Sequence, residues 1–243
     1  PFYGHCHQQV TKHPVSDLPM ASKKLLEELK ESGIEDIRWI PDDHPGLNTL
    51  QQRVRDCVVT DSTFVSPELP DKLHEIIFPV SFLDFETFNP ALPAYVGTRP
   101  YQAVPFQWSL HIKSASGRLS HESFLCQDAS DPRLALVESL LSAIPPEGTI
   151  MAYSNYEQTV MKQLATEFPE CEAALLALCD RTFDLLNLIR EEYYHPQFHG
   201  SFSLKSVLPV LAPGMGYGDL EIQHGLIAAI DFGLMVAEDT PIA

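Results

Sequence analysis

The sequence has few basic residues for its size. Among its 243 residues, 16 are Lys or Arg and 33 are Asp or Glu, which gives a formal net charge of −17 at pH 7. A chain this acidic repels a nucleic acid unless its basic residues are clustered or metal ions screen the contact. Taken alone, the charge therefore argues against a nucleic-acid partner.

Long hydrophobic runs are also absent from the sequence. The longest uncharged apolar-rich stretches, 76–83 and 207–215, are far shorter than the ~20 residues that a membrane-spanning helix needs. The N-terminus has no basic segment followed by an apolar one, as a secretory signal would have. We therefore expect a soluble cytoplasmic protein with no membrane partner.

The five cysteines are an odd number and include no Cys-x-x-Cys pair. This spacing argues against a disulfide framework and against a zinc site formed by this chain alone, so we expect reduced thiols. What the sequence does contain, 44% hydrophobic and 20% charged residues, is typical of a globular protein. Disorder over the whole chain is excluded.

The chain divides into two zones, with a predicted boundary near Pro70. Residues 1–75 contain two amphipathic helical patterns and short β-prone segments, and they predict a small N-terminal α/β appendage. Ser22 is placed to cap a helix that stops at Gly33, and 34–40 has the character of a strand. Residues 76–243 contain the long apolar runs and predict a second, larger domain.

The second zone predicts a mixed sheet flanked by helices. The run 76–85, rich in Ile, Val and Phe, is typical of a central strand buried on both faces. Residues 104–112 alternate apolar and polar side chains, and a turn leads from them into 118–126, which predicts a hairpin. A short strand is predicted at 149–153. Helices are predicted at 131–144, 156–167, 170–178, 183–194, 204–211 and 222–237. A meander followed by alternating helices and strands is the order of an RNase H-like α/β fold.

Asp84 and Glu86 are the most informative residues of the sequence. They stand two positions apart at the end of the run 76–85, and on a strand such residues project from the same face. Two like charges side by side are costly unless a divalent cation compensates them. From the spacing alone, a metal site and a pair of solvated acids beyond the strand end both stay open.

Glu157 lies in the first turn of the helix predicted after the short strand. A glutamate at that position is favoured by the helix dipole whatever its function. If the strands 76–85 and 149–153 are neighbours, however, their carboxyl ends meet at the edge where α/β proteins form their sites. Glu157 would then join Asp84 and Glu86.

Three segments, LDFET, PFQWSLH and AYSNYE, together resemble the DnaQ-like exonuclease superfamily, which combines the RNase H fold with four metal-binding acids. More narrowly, the chain resembles a bacterial family known as domain of unknown function 2779. The segments that carry this likeness are GIEDI at 33–37, the run 82–111, DPR at 131–133 and the run 193–211. In that family the domain commonly follows a RecB-like nuclease domain. The resemblance covers nearly the whole chain.

The resemblance implies metal-dependent hydrolysis of phosphodiester bonds in DNA or RNA, as a 3′ to 5′ exonuclease that binds nucleic acid as a single strand. It implies two Mg²⁺ or Mn²⁺ ions, which hard oxygen ligands select over zinc. Asp84 and Glu86 match the first superfamily motif. Glu157 matches the second, where most relatives have Asp.

The third superfamily motif, a Tyr or His followed by an Asp in a late helix, does not occur in the sequence up to Ala243, so the fourth acid is unassigned. His224 is a candidate general base by an irregular match, because the position five residues beyond it is not acidic. Asp219 and Asp231 are weaker metal candidates. His5, Cys6 and His7 are close enough in sequence to suggest a metal site. The resemblance implies instead that residues 1–75 include the end of an upstream RecB-like domain and that Cys6 is the last cysteine of an iron–sulfur site in that domain.

Four further residues are candidates for substrate binding. Arg99, Tyr101 and Gln102 lie in the loop after the first acidic strand, within reach of a phosphate or base, although such proline-rich loops also simply pack over a sheet edge. Lys205 follows a Ser-rich helix start whose N-terminus could meet a phosphate, and a solvated lysine is the alternative. Asp184 is expected to cap a helix rather than to bind a metal.

Two other functions stay open. The missing third motif favours an inactive nuclease-like binding or assembly module. The acidic composition suits a hydrolase of nucleotides or other small phosphoesters better than an enzyme that acts on a long polymer.

Overall fold

The computed structural model describes residues 11–215 and 225–239. The chain forms two compact units. The first contains the described residues of Pro1–Lys72 and Leu186–Gly216, and the second those of Leu73–Leu185 and Tyr217–Ala243. Residues 186–215 thus fold with the N-terminal segment, whereas the sequence analysis placed them in the second domain. No helix in the described ranges is long and apolar enough to cross a bilayer.

The elements of the chain follow in this order. They are α1 (Lys23–Glu31), α2 (Thr49–Thr60), β1 (Phe64–Val65), α3 (Leu69–His74), β2 (Val80–Phe88), β3 (Val104–Lys113), β4 (Leu119–Leu125), α4 (Arg133–Ala143), β5 (Ile150–Ala152), α5 (Tyr156–Glu167), α6 (Glu172–Asp180), β6 (Thr182–Asp184), α7 (Leu185–Glu192), β7 (Tyr193–Tyr194), α8 (Leu204–Leu211) and α9 (Gly225–Asp239). The 3₁₀ turns are Val15–Asp17, Ile37–Trp39, Pro169–Cys171 and Pro196–Phe198.

The first unit begins as the sequence predicts and then departs from the prediction. Ser22 caps α1 by accepting the N–H of Leu25 at 3.1 Å, and the helix ends just before Gly33. The predicted strand 34–40 is wrong. Asp36 forms only an isolated bridge and then takes the backbone N–H of Arg38 at 2.9 Å on its carboxylate, which starts a 3₁₀ turn. A side chain that binds the backbone two residues ahead competes with a strand ladder in this way.

The first unit closes through the pairing of β1 with β7. Phe64 lies opposite Tyr194 and Val65 opposite Tyr193 in an antiparallel pair. Tyr194 is fully buried and packs edge-on against Phe198. This pairing explains why residues 186–215 belong to the N-terminal unit.

The second unit is built on a mixed sheet of five strands in the order β4-β3-β2-β5-β6. The pairs β2/β3 and β3/β4 are antiparallel, whereas β2/β5 and β5/β6 are parallel. The predicted fold class, an RNase H-like mixed α/β sheet flanked by helices, is confirmed. The carboxyl ends of β2, β5 and β6 lie at the same edge of the sheet.

The strand β2 is buried on one face only, so the prediction of burial on both faces is wrong. Leu83 and Phe85 pack into the main core with Trp108 of β3 and with apolar residues of α4, α5 and α6. On the other face, 41% of Phe82 is exposed, and Asp84 is exposed as well. The apolar run looked uniform because it includes residues 76–79, which precede the strand.

Helix α9 packs against the end of β2. Its Phe232 stacks on Phe106 of β3, with ring centroids 4.2 Å apart, and meets Phe88 edge-on. These rings form a second, smaller core with Cys126 and Val236. This apolar packing is at the end of β2 and does not extend over the middle of the strand, where Asp84 and Glu86 lie.

Candidate active site

Asp84 and Glu86 lie within β2, on the face opposite the main core. The strand continues to Phe88, so both acids are strand residues and do not lie beyond its end. In the pairing with β3, Asp84 lies opposite Ser109 and Glu86 opposite Gln107. The alternation of the strand therefore places both acidic side chains on the sheet face that α4, α5 and α6 do not cover.

Glu157 reaches the same edge of the sheet from α5. The parallel pairing of β5 with β2 brings the carboxyl ends of the two strands together, and α5 begins four residues after β5 ends. Tyr156 supports this arrangement, because its hydroxyl lies 2.5 Å from Oγ1 of Thr87 near the end of β2. The first turn of α5 is thus joined directly to the acidic strand.

The Glu157 side chain is buried, and one of its two carboxylate oxygens lacks a hydrogen-bond partner within the described chain. Its residue is only 5% exposed. Within the described chain, its Oε2 atom has no hydrogen-bond partner. A buried carboxylate oxygen with no donor costs free energy, which a proton or a cation would relieve.

Asp184 is a fourth acid at this edge. It ends β6 and lies beside Ala152 of β5 in the parallel pair. The sequence analysis expected it to cap a helix, and α7 does begin at the next residue. Its position at the carboxyl end of a strand was not predicted, because a three-residue strand has too few positions to show a period.

The acids change the pKa values of Glu86 and Glu157 through their charges. Although Asp84 is exposed, partial desolvation by the protein around it raises the pKa of its carboxyl group, against a backbone hydrogen bond from Phe85. Burial, and then the charge of Asp84, raise the pKa of Glu86. Burial raises the pKa of Glu157 to about 7, against a hydrogen bond from its own backbone N–H, and the charges of Asp84 and Asp184 contribute in the same direction. The charge of Asp84 thus opposes the ionisation of both Glu86 and Glu157.

The acids do not converge on a single point. Among residues 11–215 and 225–239, no three His, Cys, Asp or Glu side chains are gathered in a way that could hold a metal ion as they stand. The donor set nonetheless consists of carboxylate oxygens, which suit Mg²⁺, Mn²⁺ or Ca²⁺ better than zinc. The unpartnered Oε2 of Glu157 leaves one ligand position without a donor, and the chemistry of this donor set, though not its spacing, fits a divalent ion.

Of the proposed general base and the two weaker metal candidates, the structure describes Asp231. His224 and Asp219 fall outside the described residues, as does Cys6. Asp231 lies on α9, where it lines a cavity of about 350 Å³ with Phe106 and other residues of β3 and β4.

The loop after β2 places its three candidate residues in different environments. Gln102 is 9% exposed, and its amide is engaged in the interior, since Nε2 donates to Glu167 at 2.5 Å and Oε1 accepts the N–H of Arg99 at 3.1 Å. Tyr101 is 72% exposed, in a left-handed backbone conformation, and Arg99 is also exposed. Lys205 belongs to the first unit, whereas the acids belong to the second.

An ionic cluster around Arg133, which the sequence does not predict, holds this loop. Arg133 is 6% exposed and donates to Asp131 through two hydrogen bonds, to Glu167 at 2.8 Å, and to the carbonyl of Val96 at 3.1 Å. Hydrogen bonding to Asp131 raises the pKa of the Arg133 guanidinium far above its ordinary value. The N-cap of α4 is Pro132, and Asp131 before it accepts the N–H of Arg133 at 3.2 Å. The DPR segment at 131–133 is the sequence feature that could have indicated this ionic cluster.

Comparison with known proteins gives a family for this chain. A family model described as a domain of unknown function, DUF2779, matches residues 81–203, about half of the sequence. The matched region contains Asp84, Glu86, Glu157 and Asp184 as well as Arg133. No curated protein and no solved structure matches the chain. The protein belongs to the DUF2779 family.

Proposed function

We propose that this protein is a metal-dependent phosphodiesterase of the DnaQ-like type, which removes nucleotides from the 3′ end of a DNA or RNA single strand. The observation that carries the proposal is the state of the Glu157 carboxylate. It is buried, one of its oxygens has no hydrogen-bond partner within the described chain, and the charge of Asp84 contributes to its raised pKa. A carboxylate in this state at the carboxyl edge of an RNase H-like sheet suits a cation ligand better than a structural role.

Asp84, Glu86 and Glu157 are the residues that would hold the ions. Bound Mg²⁺ or Mn²⁺ would lower the pKa of a water molecule and stabilise charge on the leaving oxygen. The pKa shifts of all three acids are upward, so a cation must displace protons as it binds, and its affinity increases with pH through the range in which Glu157 ionises.

The protein fixes two of these side chains through the backbone of regular elements. Asp84 and Glu86 belong to β2, which pairs with β3 on one side and with β5 on the other. The hydrogen bond between Tyr156 and Thr87 ties the start of α5 to β2, and so limits how far Glu157 can move from the acidic strand. The proposal therefore requires the carboxylates to reach one ion by rotation of their side chains.

Asp184 acts on Glu157 through its charge, and we do not count it among the ligands. Burial is the largest cause of the raised pKa of Glu157, and the charge of Asp184 adds to it. An Asp184→Asn variant should therefore bind Mn²⁺ at a lower pH than the wild type. A ligand role for Asp184 would instead make that variant bind the ion more weakly at every pH.

A second candidate is an inactive nuclease-like module that binds without cleaving. The separation of the acids in the described chain favours it, since no three of them are positioned around one ion. A hydrolase of small phosphoesters is a third outcome that the same assay distinguishes.

The test measures the shortening of a 5′-labelled single strand of DNA or RNA, with Mn²⁺ or with EDTA, and the hydrolysis of free nucleotides under the same conditions. We compare the wild type with Asp84→Asn and with Glu122→Gln, which removes an exposed acid from β4 of the same sheet. We expect stepwise shortening that needs Mn²⁺, a loss of at least about a hundredfold in Asp84→Asn, and little change in Glu122→Gln. Wild-type release no faster than that of Asp84→Asn would support the inactive module, and activity confined to free nucleotides would support the small-substrate hydrolase.

A further inference from the structure

We propose that the first unit contains a binding pocket for a phosphate-bearing ligand, formed by Lys12, His13, His195, His199 and Lys205. We call it the basic pocket. It is a cavity of about 710 Å³, and its residues come from the N-terminal segment and from the segment that begins at Leu186. It stands on residues separate from the acids of β2, and so does not depend on nuclease activity.

The charge of the basic pocket is opposite to that of the chain. Five of its lining residues are Lys or His, and Asp61 is the acid that lines it. The whole sequence has twice as many acidic as basic residues. An acidic protein that concentrates cationic and N–H donors in one concave site selects anions there and repels them elsewhere.

The histidines of the pocket are held in defined positions. His13 is 5% exposed and its ring stacks on that of His199, with centroids 5.5 Å apart and an angle of 19° between the planes. Nδ1 of His199 lies 3.3 Å from the carboxylate of Asp17. Burial lowers the pKa of His13, and His199 and Lys12 lower it further, against the charge of Asp36.

His195 offers a hydrogen-bond donor to the pocket. Its Nδ1 accepts the N–H of Gln197 at 3.1 Å and caps the 3₁₀ turn Pro196–Phe198. A neutral imidazole that accepts at Nδ1 carries its hydrogen at Nε2. The capping bond thus fixes the tautomer, and Nε2–H is the donor that His195 can give to an anion.

The N-terminus of α8 adds to the positive character of the pocket. Lys205 lies in its first turn, and the side chain of its N-cap, Ser203, makes no capping hydrogen bond within the described chain. The Ser203 hydroxyl instead bonds with the hydroxyls of Ser201 and Ser206 at 3.1 and 3.0 Å, and both of these serines line the pocket. A helix N-terminus flanked by hydroxyl donors favours a phosphate oxygen.

The donors and the size of the cavity indicate the class of ligand. Two ammonium groups, imidazole N–H groups and serine hydroxyls suit a group with several strong acceptor oxygens and net negative charge, which is the chemistry of a phosphate ester. The volume is larger than a phosphate ion needs and lies in the range of small-molecule sites. The ligand is therefore a free nucleotide or one phosphate of a nucleic-acid strand.

The test is a titration of the full chain with three probes in buffer that contains EDTA: inorganic phosphate, a nucleoside 5′-monophosphate and a single-stranded oligonucleotide. The variant is Lys12→Gln with Lys205→Gln. The control is Lys23→Gln with Lys24→Gln, which removes the same charge from exposed lysines of α1 in the same unit. Melting curves establish that both variants are folded, and EDTA separates this result from that of the nuclease assay.

We expect the pocket variant to bind at least one probe about tenfold more weakly or worse, since a charge-assisted hydrogen bond contributes more than one tenfold step in Kd. The control should bind as the wild type does, and Lys12→Arg with Lys205→Arg should restore binding. Loss with the oligonucleotide alone identifies a strand, and loss with the monophosphate identifies a nucleotide. A wild type that binds none of the probes, or a control that loses as much as the pocket variant, would overturn the proposal.

Discussion

Replacing Glu157 by Gln should stabilise the metal-free protein at alkaline pH. The carboxyl group is almost fully buried, and its pKa is raised from an ordinary value of 4.5 to about 7. A pKa unit corresponds to 1.36 kcal/mol, so the folded state loses roughly 3 kcal/mol of stability as this group ionises. Glutamine keeps the shape of the side chain and cannot ionise.

The sign of the effect follows from linkage. Because the folded-state pKa lies above the unfolded value, the folded protein holds the proton more tightly, and the contribution of Glu157 to stability is greatest below pH 4.5. It falls as the pH increases from 4.5 to about 7 and is constant above that. The difference in free energy of unfolding between Glu157→Gln and the wild type should therefore grow through this window and reach roughly 3 kcal/mol by pH 8.

The assay is urea unfolding in EDTA at half-unit steps from pH 4.5 to 8, with Glu138→Gln, an exposed acid on α4, as the control. The control should follow the wild type at each pH. Millimolar Mn²⁺ should stabilise the wild type but not Glu157→Gln, because the variant lacks the Glu157 carboxylate that binds the ion. The difference in free energy of unfolding between the two proteins should then shrink or reverse. Parallel curves for the wild type and Glu157→Gln in EDTA would refute the reasoning about burial and charge at this site.

Two further variants test the packing of the second unit. Arg133→Met should lower the free energy of unfolding by about 3 kcal/mol, because it leaves the carboxylates of Asp131 and Glu167 unpaired. The control Arg118→Met, on an exposed turn, should have little effect. Urea midpoints of the two variants within 0.5 M of each other, which corresponds to roughly 1 kcal/mol, would count against the ionic cluster. Gly148→Ala should lower the free energy of unfolding by more than about 2 kcal/mol, because φ of Gly148 is +90° and the new Cβ would lie 2.0 Å from the carbonyl oxygen of Pro79. Gly117→Ala, where φ is +84° and the space is open, should lower it by about 1 kcal/mol. Equal losses of melting temperature in the two variants would contradict this difference.

The parts of the fold that the sequence predicts well are those with a sustained period. Residues 104–112 alternate strictly, and β3 occupies Val104–Lys113. The helix predicted at 156–167 is α5, and that at 204–211 is α8. In these segments the local preference and the packing agree, so each could be read without knowledge of the rest of the chain.

Other features depend on contacts that no local pattern shows. The strand predicted at 34–40 failed because one carboxylate, that of Asp36, took a backbone N–H. The helix predicted at 183–194 contains a strand at each end, β6 and β7, whose partners lie far away in the sequence. The basic pocket was equally hidden, because Lys12 and Lys205 are brought to one cavity by tertiary structure alone.

The candidate site was predicted in part. The spacing of Asp84 and Glu86 was sufficient to place both on one face of a strand, and the order of strands was sufficient to bring Glu157 to the same edge. The burial of Glu157 and the charge of Asp184 upon it were not predictable, since both depend on how α5 and β6 pack.

The discontinuity of the first unit links the melting of the two units. Its two segments are joined through about 110 residues that fold as the main part of the second unit. While the second unit is folded, the ends of this connection are held at a fixed separation, and the strands β1 and β7 can meet without closing a long loop. Once the second unit unfolds, the same pairing must close a flexible loop of that length, at an entropic cost on the order of 4 kcal/mol. The first unit should therefore lose most of its own stability at the temperature at which the second unit melts, and it should seldom persist alone.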